Sequence, residues 1–533
     1  MRVQSKTLLV FASPLLIAVI AAYVEWIFFG LPAIPPGAQP PPIGAPQGFP
    51  AWLRVTHYVN FLFLILLIRS GVQILFDHPR LYWNVHCTPG TEWLRLTPVE
   101  VPRDRVWTAK EDARYLSPWI GLPGGRHLVG MARHWHFLSA LFWVVNGLVF
   151  VVLLLSGNQW RRLVPTSWHV LPDAWDIFVH YATFHMPQEP NGFYAYNALQ
   201  QLTYFGVVFV LAPLAILSGP SMSPALTNRF KWYPKLPGNR QIGRSLHFLV
   251  MGAFVVFVVL HVALVFITGF ARNMNHIVMG TDDTRAIGWE LGAVGIAVVI
   301  VVNVAAWWLA WKRPRTVQHA AKAVVAPVMN VLLNRAAPRA QFRREDISPF
   351  FWANGKLPTC EEWAVLAKDG FKAYRLKIVG LVEQPMEFSL EDLRAMEKKS
   401  QITLHHCIQG WSGIAEWGGV PLSEIVKRVR PKPEAQAVAF HSFGEGREGG
   451  RFYDTLSLDN ACHPLTLLAY EMNFAPLTEL HGAPLRLRVE NQLGFKMVKW
   501  IETIEFVASA KQVGLGEGGY NEDREYFGEL ANI

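Results

Sequence analysis

Charged residues and cysteines are both scarce in this chain of 533 residues. Only 17% of the residues are charged whereas 51% are hydrophobic, and the mean hydropathy is positive, which argues against an ordinary soluble protein. The four cysteines have no C-x-x-C spacing, which disfavours zinc ribbons, cysteine-ligated iron–sulfur clusters and a disulfide framework but allows one special cysteine. The net charge of +9 comes from basic residues at the ends of hydrophobic runs, so we expect membrane lipid, and no nucleic acid, as a partner.

Nearly all long apolar runs lie before residue 312, and six of them are long enough for a membrane-spanning helix, which needs about 20 residues. They cover residues 7–29, 53–76, 134–156, 198–218, 246–270 and 288–311, and Arg69 interrupts the second. Short strand-like and helical runs alternate from about residue 343. We therefore predict a multi-domain chain with an all-α transmembrane helical bundle (1–315, about six helices), a linker or interfacial helix (316–342) and an α+β domain (343–533).

Basic residues also predict the orientation of the bundle. Lys and Arg precede the first run and cluster in segments 77–133 and 229–244, and short loops of this kind lie in the cytoplasm. Both termini and the α+β domain then fall on the cytoplasmic side of a bacterial inner membrane. The first run could instead be a cleaved signal peptide, because a short basic start leads into an apolar core.

Four histidines predict two metal centres inside the bundle. His247 and His261 are fourteen residues apart in one uncharged run, which puts them near one helix face and about 21 Å apart along the axis. By depth, His57 matches His261 and His136 matches His247. Intramembrane imidazoles are costly unless paired or ligated, so two levels of paired histidines indicate two bis-histidine b haems. Helix-packing or water-cavity histidines are the alternative, and His134 is a weaker rival of His136.

Five other histidines of this half lie in predicted loops, where a solvated surface position is the simpler interpretation. They are His127, His169, His180, His185 and His276. The patch around His180 and His185 could border a quinone pocket.

The stretches R-V-T-H (54–57), A-R-H-W-H-F (132–137) and G-R-S-L-H-F (243–248), followed by His261, resemble the dihaem b-type cytochrome subunits of nickel hydrogenases and formate dehydrogenases. The resemblance covers roughly residues 50–315. It implies that His57, His136, His247 and His261 ligate two haem b groups. The family core has four helices, so the first span and another near one end are departures that leave the quinone site open.

Three arginines of this region are candidates for pairing with haem propionates, because a buried arginine favours a carboxylate partner. They are Arg54, Arg69 and Arg244. For Arg54 and Arg244, anchoring at the membrane interface is an equal alternative.

In the second half, Q-I-T-L-H-H-C-I-Q-G-W-S (401–412) predicts a strand that runs into a loop carrying Cys407. A lone thiol at a strand end usually packs in a core. Downstream, H-G-A-P-L-R-L-R (481–488) and G-F-K-M-V-K-W (494–500) interleave glycines with Arg and Lys, which suits a phosphate-bearing cofactor. A surface turn with solvated charge is the alternative for either segment alone.

Together with W-G-G-V-P-L (417–422), these segments resemble the sulfite oxidase family of molybdopterin enzymes over about residues 345–510. The similarity is greatest to the branch that contains bacterial periplasmic methionine-sulfoxide reductases. The resemblance implies a molybdenum–molybdopterin cofactor with Cys407 as the thiolate ligand of the metal. It also implies cofactor contacts from Phe351, Trp352, Ser442, His481, Arg486, Lys496, Met497, Val498 and Lys499.

The sequence departs from that branch at two positions. Gln409 stands where the branch has a glutamate near the metal, and His481 replaces an asparagine, so the charge of the site and the substrate can both differ. The arginine-rich motif that follows the ligand cysteine in true sulfite oxidases is absent, which makes sulfite a weaker candidate. A twin-arginine export signal is also absent, and the predicted topology puts this domain in the cytoplasm, unlike that reductase.

The two halves together predict a membrane-bound molybdenum oxidoreductase. Quinol or another electron partner reduces two b haems, and the molybdenum centre takes an oxygen atom from a small S- or N-oxide. Sequence proximity alone puts Gln409, His441 and Arg447 at the substrate. One alternative is oxidation of a sulfite-like substrate with quinone as acceptor. Another is a haem-only electron-transfer or sensor protein with a cofactor-free interaction domain, although a decayed site need not keep Cys407. A homo-oligomer is compatible with each.

Overall fold

The protein is described by a computed structural model that covers residues 2–3, 5–37, 48–102, 104–125, 129–187, 191–230, 233, 238–333, 342–446 and 450–514. Helices fill the first part of the described chain and strands dominate the second. The chain is therefore multi-domain, with a helical bundle followed by a β-rich α+β domain. We call these parts the membrane half and the soluble half.

The helices of the described residues are numbered in chain order. They are α1 (Ser5–Phe29), α2 (Ala51–Leu75), α3 (Ala109–Asp112), α4 (Val129–Ser156), α5 (Trp160–Leu163), α6 (Val170–Ala182), α7 (Ala198–Phe205), α8 (Ala212–Ser221), α9 (Pro224–Arg229), α10 (Arg240–Ile267), α11 (Phe270–Met274), α12 (Ala286–Lys312), α13 (Pro314–Leu333), α14 (Glu361–Lys368), α15 (Leu390–Ala395), α16 (Leu422–Val429) and α17 (Leu458–Ala461).

Five helical segments of the described chain are long and apolar enough to cross a membrane: α2, α4, the α7–α8 segment, α10 and α12. A shorter apolar stretch, Ser13–Phe29, lies in α1. A π-helical turn, Gly206–Leu211, joins α7 to α8. Pro213 explains this wider turn, because proline lacks an N–H and its ring collides with the carbonyl four residues earlier in a regular α-helix.

The strands of the described residues are β1 (Arg2–Val3), β2 (Arg80–Leu81), β3 (Leu94–Arg95), β4 (Leu376–Gly380), β5 (Met386–Phe388), β6 (Lys399–His406), β7 (Ser412–Pro421), β8 (Ala437–Glu445), β9 (Arg451–Ser457), β10 (Thr466–Met472), β11 (Ala475–Pro476), β12 (Arg486–Val489) and β13 (Ile501–Val507). The membrane half carries the small sheet β1-β3-β2. In the soluble half, one sheet has the order β11-β10-β7-β6, with β12 paired to β10, and the other has the order β5-β4-β13-β8-β9. Strands β4 and β13 run parallel.

The core of the soluble half combines side chains from both of its sheets, for example Ile378 of β4, Trp417 of β7 and Leu468 of β10. Strand β7 was not predicted, because nearly all of its residues are buried and it lacks the alternation that marks a half-exposed strand. Residues 494–496 form a 3₁₀ turn, and strand β13 begins after it at Ile501.

A second apolar cluster joins the two halves. Tyr82, Cys87 and Trp107 of the membrane half pack with Trp352 and Trp411 of the soluble half in this cluster, which also contains Ala109, Val129, Cys407 and Ile408. The indole Nε1–H of Trp352 donates to the carbonyl of Cys87 over 2.7 Å. The soluble half is therefore seated on the end of the bundle formed by the loop after α2 and the beginnings of α4 and α10.

Candidate functional site

Two pairs of histidine rings face each other inside the bundle. The ring centroids of His136 and His247 are 6.1 Å apart, and those of His57 and His261 are 6.3 Å apart. Two imidazoles that bind one metal ion through bonds of about 2 Å have centroids about 6 Å apart. Both donor sets therefore fit a bis-histidine haem. The structure brings together the residues that the sequence pairs by depth, and His136 rather than His134 faces His247. We call His136–His247, closer to the soluble half, the near pair and His57–His261 the far pair.

Serine hydroxyls hold both rings of the near pair. Ser70 Oγ lies 3.1 Å from His136 Nδ1, and Ser218 Oγ lies 2.9 Å from His247 Nδ1. Each hydroxyl also donates to the carbonyl four residues earlier in its own helix over 2.6 Å. Because its proton is used there, each serine oxygen accepts from the Nδ1–H of the imidazole. Nε2 of both rings then carries the lone pair that a metal needs.

A glycine follows each of these serines and leaves room for the ring edge. A Cβ atom added to Gly71 would lie 3.3 Å from Cε1 of His136, and one added to Gly219 would lie 3.7 Å from Cε1 of His247. The Ser-Gly dipeptides on α2 and α8 thus provide a hydrogen bond and space for the near-pair imidazoles.

The far pair has different surroundings. The His261 ring stacks on Phe257 at 5.4 Å and meets the edge of Tyr204 at 6.1 Å, and His57 contacts the edge of Tyr58 at 5.8 Å. Within the described part of the chain, neither ring has a side-chain hydrogen bond of the kind that the near pair receives. The far pair is held by aromatic packing alone.

In the soluble half, a cavity of about 470 Å³, including its open mouth, surrounds the end of β6 and the cysteine loop. It is lined by Phe351, Trp352, Ala353, Asn354, His405, Cys407, Ile408, Trp411, Leu480, His481, Arg486, Gly494, Phe495, Met497 and Lys499. Burial raises the pKa of the Cys407 thiol to about 12, so its thiolate form requires a strongly positive partner such as a metal ion.

Two cations of this cavity have only neutral hydrogen-bond partners among the described residues. Arg486 donates to the His481 carbonyl over 2.8 Å, and its buried Nε has no partner. Lys499 donates to the carbonyls of Asn354 and Leu480 over 2.6 and 3.1 Å. Burial, reinforced by a neighbouring arginine, lowers the pKa of both groups. A phosphate would satisfy these donors, so the cavity fits an anionic pterin cofactor.

His481 is neutral in this cavity. Its Nε2–H donates to the Phe351 carbonyl over 3.2 Å, and its Nδ1 accepts from the Thr478 hydroxyl over 2.8 Å. Burial lowers the pKa of His481 to about 4. His405, which sequence reasoning missed, also lines the cavity, and its ring packs on Trp411 at 5.2 Å. Its position two residues before Cys407 on β6 was the available signal.

Three predicted cofactor residues lie outside the cavity lining. Lys496 is fully buried and donates to Asp454 over 2.8 Å, because the 3₁₀ turn directs it into the core. Ser442 donates to the Lys499 carbonyl over 2.6 Å and thus supports the backbone beside the cavity. Val498 is 1% exposed and accepts the backbone N–H of Leu487 over 2.8 Å.

Of the residues predicted at the substrate, Gln409 lies beside Cys407, and its backbone N–H donates to the Cys407 Sγ over 3.5 Å. The Gln409 amide donates to the carbonyls of Asp77 and Ala109 over 3.4 Å, so it contacts the membrane half. His441 pairs with Glu505 over 2.9 Å on the other sheet. Arg447 lies outside the described residues.

Residues at the start of the near-pair helices bind the cysteine loop directly. On α4, Arg133 donates to the carbonyl of Ile408. On α10, Arg240 donates to the carbonyl of Cys407 over 3.3 Å, and Gln241 donates to the carbonyl of Gly410 over 3.0 Å. Arg133 and Arg240 precede the near-pair histidines by about one and two helical turns, respectively. The same two helices therefore carry the near pair and hold the loop of Cys407.

Other predicted candidates have local roles. Arg244 donates to the carbonyls of Arg80 and His78 and fixes the loop after α2. Arg54 donates to the Val278 carbonyl over 2.6 Å. His180 bonds to the Pro32 carbonyl over 2.9 Å and His185 to Thr183 over 3.0 Å, so these two histidines brace a loop.

Known families account for both halves. Residues 48–280 match the family described as prokaryotic cytochrome b561, and residues 364–513 match the oxidoreductase molybdopterin-binding domain. The chain joins a membrane-integral cytochrome b to a molybdopterin-dependent oxidoreductase domain. Haem b and molybdenum–molybdopterin are the cofactors of these two families.

Several characterised proteins are similar to parts of the chain. The catalytic subunit MsrP of the protein-methionine-sulfoxide reductase of Xanthomonas campestris is 38% identical over 144 residues, which are 25% of this chain and 45% of that protein. YedZ1 of Azospira oryzae, provisionally named as a subunit of such a reductase, is 31% identical over 154 residues, which are 29% of this chain and 54% of that protein. The chain thus spans about half the length of each.

A solved structure also shows a partial likeness. The sulfane dehydrogenase SoxCD from Paracoccus pantotrophus is 26% identical over 26% of this chain and 39% of that chain, with a TM-score of 0.24.

Proposed function

We propose that this chain is a quinol-dependent sulfoxide reductase of the inner membrane, in which a cytochrome b domain with two b haems passes electrons from quinol to a molybdenum site. In the net reaction, a quinol loses two electrons and two protons. The sulfoxide takes up two electrons and two protons, its S–O bond breaks, and the sulfide and water leave. The chain's own part is to bind both cofactors and both substrates and to keep the electron path short.

The observation that carries this proposal is the attachment of the cysteine loop to the near-pair helices. Arg133 and Arg240 donate hydrogen bonds to the carbonyls of Ile408 and Cys407, respectively. These arginines lie on α4 and α10, the helices that carry His136 and His247. Covalent fusion already raises the effective concentration of the electron partner. Direct contact between the two sites also gives them a defined orientation.

The residues suggest how each group would be held. The near and far pairs would ligate one haem each, the Cys407 thiolate would ligate molybdenum, and Arg486 and Lys499 would bind the pterin phosphate. When bound, haem supplies one-electron transfer and molybdenum supplies two-electron oxygen-atom transfer. Phe351, Trp352 and Trp411 line the cavity and exclude water from the thiol.

The substrate class is supported by two features. The reductase named MsrP is 38% identical over 144 residues, and its name specifies methionine sulfoxide in a protein. Among the described residues, no carboxylate lines the cavity, so a neutral, polar S–O group can approach Arg486 without repulsion. Methionine sulfoxide, free or in a peptide, is therefore the first substrate to try.

We place the molybdenum site in the cytoplasm. The soluble half is seated at the end of the bundle where α2 ends and α4 and α10 begin, and the segments around these ends are rich in Lys and Arg. Short loops rich in basic residues stay on the cytoplasmic side.

Metal-dependent activity of the whole chain tests the proposal. Membranes from cells grown with molybdate should reduce methionine sulfoxide with reduced viologen as donor, and membranes from cells grown with tungstate should not. The molybdate-grown protein should contain molybdenum and pterin in equal amounts. A haem-loaded protein with neither metal nor pterin would contradict the enzyme and leave an electron-transfer or sensor protein.

A further inference from the structure

The membrane half has a pocket that the two histidine pairs do not use. It lies between α2 and α12, is open to the bilayer and has a volume of about 780 Å³ including its open side. Most of its lining is aliphatic or aromatic, as expected for a hydrophobic ligand. It is lined by Ile65, Arg69, Pro118, Trp119, Val299, Ile300, Asn303, Val304 and Trp307.

One end of this pocket is polar and rich in hydrogen-bond donors. The Arg69 guanidinium donates to Asn303 Oδ1 over 2.7 Å and to the Pro118 carbonyl over 2.5 Å. Its Nε, and the indole Nε1 of Trp307, are buried without a partner. Both groups can only donate. An unpaired donor in an apolar environment costs free energy, so a ligand with acceptor oxygens would stabilise this end of the pocket.

The depth of these donors argues for a neutral ligand. Arg69 lies six residues before the end of α2, which is about 9 Å along the helix axis. A charged lipid phosphate at that depth would lose its hydration at a large cost in free energy, whereas burial of a neutral quinone carbonyl costs little free energy. The aliphatic residues Ile65, Val299 and Ile300 continue the pocket toward the middle of the membrane, where an isoprenoid chain would lie.

The pocket is also next to the near pair. Arg69 is followed by Ser70, whose hydroxyl accepts from His136. In contrast, His57 of the far pair precedes Arg69 by twelve residues of α2, which is about 18 Å along the helix axis. The other wall of the pocket, α12, lies beyond residues 48–280, the part matched by the cytochrome family, so the pocket depends on a helix that this family match does not include.

We propose that the pocket between α2 and α12 binds the headgroup of a quinol or quinone, with Arg69 and Trp307 as donors to its oxygens. A haem held by the near pair would accept the two electrons of the quinol one at a time, and the quinol would lose its two protons and become a quinone. This inference rests on the proposed function, since it locates the electron donor of that reaction. It differs from the sequence-based expectation of a pocket at His180 and His185.

A pair of matched variants tests the site. Val304→Phe fills the pocket without removing a donor, whereas Val301→Phe puts the same ring on the same helix, at a residue that is 65% exposed and outside the lining. The full chain in nanodiscs is mixed anaerobically with decylubiquinol, and haem reduction is followed. We expect Val304→Phe to slow reduction at limiting quinol at least about tenfold, and Val301→Phe to stay within about twofold of the unsubstituted chain.

Two further measurements keep the test decisive. Trp307→Phe removes one donor, which should weaken quinol binding about fivefold. A photoreactive azido-ubiquinone should label the peptide with residues 299–307, and excess decylubiquinol should prevent the labelling. Spectra of dithionite-reduced protein check that each variant keeps its haems.

The outcomes separate this site from the proposed function. Unchanged quinol reduction in Val304→Phe, or labelling elsewhere, would overturn the site. Labelling prevented by cardiolipin but not by decylubiquinol would identify a lipid site and overturn it as well. If quinol reduces the haems through this pocket but no sulfoxide reoxidises them, the site stands and the reductase proposal fails.

Discussion

The near and far histidine pairs have almost the same spacing between their rings, but different side chains hold the rings in place. Their ring centroids are 6.1 and 6.3 Å apart, as two six-coordinate haems would require. In the near pair, Ser70 and Ser218 orient both rings, whereas the far pair packs against aromatic side chains. The near pair is also the one whose helices bind the cysteine loop, and Ser70, which bonds to His136, directly follows Arg69 of the α2–α12 pocket.

This difference indicates where electrons enter and leave. A site that exchanges electrons with two partners benefits from fixed ligands, because a hydrogen bond from the imidazole Nδ1–H sets both the orientation and the basicity of the ring. The far pair has no comparable partner nearby. We therefore expect the haem of the near pair to carry electrons from quinol to the site of Cys407. The haem of the far pair should receive its electrons from the near haem.

The largest expected effect comes from removing one pair at a time. His136→Ala should lose the near haem, and quinol should then reduce the remaining haem at least about a hundredfold more slowly, since entry is at the near level. His261→Ala should lose the far haem while quinol still reduces the near one. Stopped-flow spectra at limiting quinol measure both. Fast reduction of the far haem in His136→Ala would show that quinol delivers electrons at the far pair and would contradict entry at the near pair.

Removing the Cys407 thiol should block electron transfer from the near haem to the sulfoxide. Cys407→Ser should abolish sulfoxide reduction, because a hydroxyl is a poor ligand for molybdenum compared with a thiolate, but both haems should remain and be reduced by quinol. Cys87→Ser, at another buried cysteine of the same interface, is the matched control and should keep most activity. Activity in Cys407→Ser would exclude this thiol as the metal ligand.

The serines should tune the near haem only. Ser70→Ala or Ser218→Ala removes an acceptor from Nδ1–H, which makes the imidazole less basic and should raise the midpoint potential of the near haem by tens of mV. The potential of the far haem should not move. Ser156→Ala, at an exposed serine of α4, should change neither potential in a redox titration. Equal shifts in both haems would show that the serines act through the fold rather than through one ring.

The smallest expected effect concerns the loop at the far end. Asp282 accepts from Arg272 over 2.6 Å and His276 over 2.8 Å, and the hydrogen bond from Arg272 is the main cause that lowers the pKa of Asp282 to about 2. A lowered carboxyl pKa stabilises the fold above the unfolded pKa of about 3.9 and loses this effect as pH falls toward 2. Asp282→Asn should therefore lower the melting temperature at pH 7, and the difference should shrink by pH 3.

The parts of the site that are local in sequence could be predicted. Burying an unligated histidine in an apolar run costs free energy, so such histidines indicate metal ligands. Cys407 lies in segment 401–412, one of the segments that resemble a known family. Lys496 and Lys499 are three residues apart, yet one pairs with Asp454 in the core and the other faces the cavity. The 3₁₀ turn and the distant partner decide this, and neither is visible in the local sequence.

Long-range contacts explain the other differences. Gln409 is close to Cys407 in sequence, which suggested a substrate residue, but its side-chain amide donates to carbonyls of residues that lie 332 and 300 positions earlier. The α2–α12 pocket likewise depends on Arg69 meeting Asn303, whereas the sequence suggested His180 and His185. Packing of elements distant in the chain determined each of these outcomes.

The most direct test of the electron path is a single rapid-mixing experiment on the full chain. The haems are first reduced with one equivalent of decylubiquinol under anaerobic conditions, and methionine sulfoxide is then added while the b-type absorption bands are recorded. We predict reoxidation of the haems with release of the sulfide. Haems that stay reduced with sulfoxide, together with oxidised haems that become reduced when sulfite is added, would contradict the proposed direction and substrate.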